Sequence, residues 1–87
     1  MNPQDKNIGE QWSDGLIELT KKSLHEKEFG SRDDKVYFKH IVYGAGYFIS
    51  IQNVLSDKWL IHNVENPDEK FRYSSIVEMV NAGWALD

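Results

Sequence analysis

The chain contains no cysteine, which excludes a disulfide framework and thiolate-held metal and is compatible with a reducing compartment. It has no apolar run near the roughly 18 residues of a membrane-spanning helix, and its first eleven residues hold no leader-like hydrophobic stretch. The expectation is therefore a cytoplasmic protein without a membrane partner. A basic excess is also missing: ten Lys and Arg face fourteen Asp and Glu, a net charge of −4. The average field repels phosphate backbones, so nucleic acid starts as an unfavoured partner. Internal repeats and low-complexity segments are absent.

What is present is enough for one core. The 87 residues suffice for a single domain, and 40 % hydrophobic with 28 % charged side chains is a globular composition. A chain this short buries little more than half of its unfolded surface, so a partner or a second copy would add stability. Residues 1–11 are mostly polar, with Pro3 and with Ile8 as the branched aliphatic side chain, and read as a loose N-terminal arm. Residues 12–87 read as the domain.

Ser13 and Asp14 open a first helix, the serine as a cap and the aspartate against the helix dipole. Trp12, Leu16, Leu19, Thr20 and Leu24 recur at helical spacing and form its apolar stripe. Gly30 is the expected left-handed stop. From residue 36 the period changes to two. A strand is expected over 36–43, a hairpin turn at Gly44, Ala45 and Gly46, a second strand over 47–54, a tight turn at Ser56 and Asp57, and a third strand over 59–64. That turn would pair Ile51 with His62, Ile49 with Val64 and Val54 with Trp59. An Asn66-Pro67-Asp68 turn leads to a short edge strand over 71–73. Ser75 and Glu78 have the capping-box spacing for a last helix, ended by Gly83 with Trp84 folding back.

The fold expectation is thus α+β: an antiparallel meander of three to four strands flanked by an N-terminal and a C-terminal helix, in the order α-β-β-β-(β)-α. Both parities of the meander are too apolar for a bare sheet face. Either the helices cover one face each, or both share one face and the other meets a partner.

Site chemistry is sparse. His25, His40 and His62 show no ligand spacing, so no metal or cofactor is expected. A small enzyme built on His40 or His62 is the least favoured reading: His62 beside Ser50 or Gln52 could imitate a nucleophile and base, but no oxyanion or substrate pocket can be named with them. The acidic turn bearing Glu65, Asp68 and Glu69 lacks calcium-loop periodicity. Gly44 to Gly46 opens no helix and so cradles no phosphate. The meander followed by Tyr73-Ser-Ser-Ile-Val-Glu-Met-Val80 resembles the second half of a Src-homology phosphotyrosine-binding domain. The strand Phe48-Ile-Ser-Ile-Gln52 has no arginine for the phosphate, however, so no site is carried over.

The aromatic set is denser. Tyr37, Phe38, Tyr43, Tyr47, Phe48 and Trp59 all fall in the meander, with Lys35, Lys39, Lys58, Lys70 and Arg72 as its nearest cations. The favoured expectation is a small acidic, non-enzymatic protein-binding or regulatory protein of the inhibitor, immunity or phage host-modulator type. It would act through an exposed sheet face or the acidic surface, on a protein partner that is itself basic or nucleic-acid-binding, with a homodimer as a further possibility. Candidate contacts are Tyr37, Phe38, Tyr43, Tyr47, Phe48, Trp59, Ile61, Glu65, Asp68 and Glu69. A module that stacks single-stranded nucleic acid on the sheet aromatics is the alternative.

Overall fold

The computed structural model describes residues 7–87; residues 1–6 of the expected arm lie outside them. A 3-10 turn at Ile8–Gln11 precedes helix α1 (Asp14–Glu26), whose first turn is capped by the Ser13 hydroxyl accepting from the Leu16 N–H at 3.2 Å. The strands are β1 (Lys35–His40), β2 (Gly44–Ser50), β3 (Trp59–Asn63), β4 (Lys70–Tyr73) and β5 (Trp84–Leu86), with helix α2 (Ile51–Leu55) after β2 and helix α3 (Ile76–Asn81) after β4. No helix among the described residues is long and apolar enough to cross a membrane.

The strands form one antiparallel sheet in the order β4-β3-β2-β1-β5. Flat, its two edge strands would lie about 19 Å apart, four inter-strand steps. Yet Trp84 of β5 stands 5.4 Å from the Phe71 ring of β4, and its indole N–H donates to the Tyr73 hydroxyl at 2.8 Å. The sheet is therefore curled, with an inner face that holds the core. Val36, Phe38, Tyr47, Ile49, Trp59, Ile61 and Trp84 are buried there with Leu24 of α1, Val54 of α2 and Met79 of α3. The free edge of β5 is closed by α1, where the Thr20 hydroxyl accepts from the Leu86 N–H at 3.2 Å.

Gly9, in the 3-10 turn, is buried against α3: a Cβ there would stand 2.0 Å from the Val80 carbonyl oxygen. Asn7 donates to the Asn81 side chain at 2.8 Å beside it.

A small α+β domain was expected, with the second strand central among the first three, and β2 does lie between β1 and β3. The details differ in five places. First, β1 stops at His40 rather than Tyr43, because the His40 ring accepts the N–H groups of Val42 and Tyr43 at 3.0 and 3.2 Å and holds residues 41–43 as the turn. Gly44 and Gly46 begin β2 instead, with φ of 84° and 99°. Their positive φ admits the irregularity that sets His40 opposite Gly44 while Phe38 faces Tyr47.

Second, β2 ends at Ser50, whose hydroxyl accepts from the Asn53 N–H at 3.3 Å and caps α2 where strand was expected. Phe48 then faces His62 and Tyr47 faces Asn63, replacing the pairings expected from a tight Ser56-Asp57 turn. Third, α1 ends earlier than Gly30, with Lys27 as its left-handed cap at φ 60°. Fourth, Leu19 is 56 % exposed, so the buried stripe of α1 runs through Thr20, Ser23 and Leu24. Fifth, Trp84 does not merely fold back on α3. It starts β5, pairing with His40.

Candidate outer-face binding site

All three helices contribute to the inner core, so among the described residues the sheet's outer face is the one left without a helical cover. Strand pairing places its residues in rows. Tyr37 of β1 faces Phe48 of β2, Phe48 faces His62 of β3, and His62 faces Lys70 of β4. The Phe48 and His62 rings are stacked, with centroids 5.3 Å apart and planes meeting at 22°.

The cations of the sheet gather on this same face. The five strands contain Lys35, Lys39, Lys70 and Arg72 and no carboxylate. Lys35 and Lys39 share the parity of Tyr37, Lys70 pairs with His62, and Arg72 pairs with the half-buried Leu60. The four strand cations therefore all project outward, and the rest of the chain carries −8 to make the total of −4. Among the described residues the ion pair is Lys27 with Asp57, away from this face, so none of the four is neutralised by a carboxylate at pairing distance. The Lys35 ammonium stands 5.2 Å from the Phe48 ring centre and the Lys39 ammonium 5.2 Å from that of Trp12. Trp12 borders the face, held by its indole N–H on the Gly83 carbonyl at 2.9 Å. Beyond Tyr37, the Arg32 guanidinium lies 4.9 Å from the phenol ring centre.

His62 is oriented from the side: its Nδ1 lies 2.9 Å from the Pro67 carbonyl, which can only accept, so Nδ1 carries the proton and Nε2 is the acceptor of the neutral ring.

The residues singled out in the sequence separate into four places. Tyr37 and Phe48 lie in the outer row. Phe38, Tyr47, Trp59 and Ile61 are buried in the inner core. Tyr43 is 55 % exposed at the mouth, stacked on His40 with ring centres 4.3 Å apart. Glu65, Asp68 and Glu69 are exposed in the β3–β4 connection; Glu69 adds to the burial that raises the Tyr47 pKa above 10.0. An open face grouping Phe38 with Phe48 does not form, because the extra residue at Gly44–Gly46 shifts the parity of β2 against β1.

His40 is internal. Its Nε2–H donates to the Ala82 carbonyl at 2.7 Å, Nδ1 accepts the two turn N–H groups, and burial lowers its pKa below 6.5 against the opposing bond to Ala82. Among the described residues no group of three His, Asp or Glu side chains is placed to hold a metal.

The signal for this grouping in the sequence is spacing: Lys35, Tyr37 and Lys39 alternate, as do Lys70 and Arg72, so each set must share a face of its strand. Comparison with protein families, curated proteins and solved structures found no match.

Proposed function

We propose that the chain is a small non-enzymatic binding module that takes single-stranded nucleic acid across the outer face of its sheet. The observation that carries the reading is the row of Tyr37, Phe48, His62 and Lys70 on a face whose only strand charges are positive. Rings on an open sheet offer flat apolar area to any base, and flanking ammonium and guanidinium groups follow the phosphates. The net charge of −4 argued against such a ligand only while charge was averaged over the chain. A polyanion meets the local field, and the strands hold cations alone.

Binding of a fluorescently labelled ten-residue oligothymidylate at low salt, followed by anisotropy, tests the reading. Phe48 lies outside the buried core, so Phe48→Ala should leave the fold intact. It should weaken binding by about 1–3 kcal/mol, the worth of one base on one ring, or roughly 5- to 150-fold. No binding to any single strand at low salt would remove the proposal. Binding of polyglutamate as tight as that of the oligonucleotide would assign the face to an acidic protein partner instead.

A further inference from the structure

At the Tyr37 end of the row the surface opens into a cavity of about 460 Å³, lined by Gly30, Ser31, Arg32, Tyr37, Leu86 and Asp87. Resting on the nucleic-acid reading above, we infer that this cavity takes the terminal base of the bound strand, laid on the Tyr37 ring and closed over by the Arg32 guanidinium. The volume falls within the roughly 300–1,000 Å³ of small-molecule sites.

Three features support a base there. The Tyr37 ring continues the row, and Arg32 already occupies its face at 4.9 Å, the arrangement a guanidinium adopts on a π surface. A base entering on the phenol displaces the guanidinium onto its own outer face or the adjoining phosphate.

Arg32 is also held from below. It exchanges two backbone hydrogen bonds with Lys35, both 3.0 Å, across a two-residue turn in which Asp33 and Asp34 have φ of 56° and 59°. Positive φ at both central positions is the geometry of a stiff type I′ turn. The Asp34 carbonyl accepts from the Ile51 N–H at 2.9 Å, which ties that turn to α2. The backbone of Arg32 is thus fixed while its side chain is exposed.

The lining, finally, holds both signs of polar group. Arg32 and the Ser31 hydroxyl can donate, and the Asp87 carboxylate and the same hydroxyl can accept. A base edge presents donors and acceptors together, whereas a bare phosphate would face the Asp87 carboxylate.

The test uses the full chain and oligothymidylates of four to eight residues, intact or with an abasic residue at the 5′ or the 3′ end. Removing the base at one end should weaken binding by roughly 5- to 150-fold, one stacked base, and removing it at the other should have no effect. In Arg32→Ala and in Tyr37→Leu that end-specific penalty should disappear, and Arg32→Lys should restore only part of it. Equal affinity for intact and abasic strands at both ends, with Phe48→Ala still weakening binding, overturns this inference and leaves the broader reading standing. Failure of every oligonucleotide to bind overturns both.

Discussion

At the scale of single residues, His40 shows how a buried polar ring becomes a structural element. Its two nitrogens are both used by backbone: Nε2 donates to Ala82 and Nδ1 accepts from Val42 and Tyr43. Tyr43 covers one side of the ring, and Trp84 meets it edge-on at 4.5 Å. Protonation would place a hydrogen on Nδ1 facing two N–H donors, in a site that already penalises charge. With the folded pKa below 6.5, the folded state binds fewer protons than the unfolded chain. This contribution to stability is fully present above pH 6.5 and is lost as pH falls toward the lowered folded value. Tyr47 and Tyr73 act at the other end. Burial raises both pKa values above 10.0, with the Trp84 indole N–H offsetting part of the rise at Tyr73. Their contribution is present below pH 10 and lost as pH rises past it. Urea unfolding midpoints should therefore form a plateau between about pH 6.5 and 10, falling on both sides. His40→Phe should cost about 2 kcal/mol at pH 8, because the turn loses its acceptor, and should flatten the acid side. An acid limb unchanged in that variant would assign it to other groups.

At the scale of elements, the boundary between β2 and α2 rests on one hydroxyl. Ser50 to Asn53 is the cap that ends the strand, and Ser50→Ala should destabilise the domain by about 1 kcal/mol, measured by urea unfolding. Loss of the cap should also loosen the Ile51 N–H bond to Asp34 and speed amide exchange in the 32–35 turn. This junction also shows why part of the fold was hidden in the sequence. Residues 51–55 span little more than one helical turn, too few to reveal a 3.6 period, and Ile49, Ile51 and Leu55 continue an apparent alternation. The last helix was legible because Ser75 and Glu78 state its start locally, and the Ser75 hydroxyl does accept from the Glu78 N–H at 3.1 Å. Strand β5 was not. Three residues carry no period, and their state is decided by pairing with β1 more than forty positions earlier in the chain. For the candidate site, Tyr37 and Phe48 were visible as aromatics. Their union with Lys35, Lys39, Lys70 and Arg72 depended on register, which the irregularity at Gly44–Gly46 had shifted.

At the scale of the whole molecule, the distribution of charge decides more than its sum. A protein of sequence pI about 5.3 should be indifferent to, or repelled by, a polyanion if its charge were spread evenly. Here the four strand cations lie on the sheet face that, among the described residues, the helices leave open, and the surplus of acids lies outside the strands. If each of the four neutralises one phosphate and releases its condensed counterion, log K should fall against log salt with a slope of about −3, since each neutralised phosphate on a single strand contributes about −0.7. The paired change Lys70→Ala with Arg72→Ala removes two cations from the β4 end of the row and should bring the slope to about −1.4. Phe48→Ala should lower affinity at every salt concentration and leave the slope as it was, because stacking releases no counterions. These two responses separate the ring contribution from the charge contribution within one titration series. A wild-type slope near zero would mean that the −8 on the remaining surface cancels the local field, and the outer face would then have to act through its rings alone.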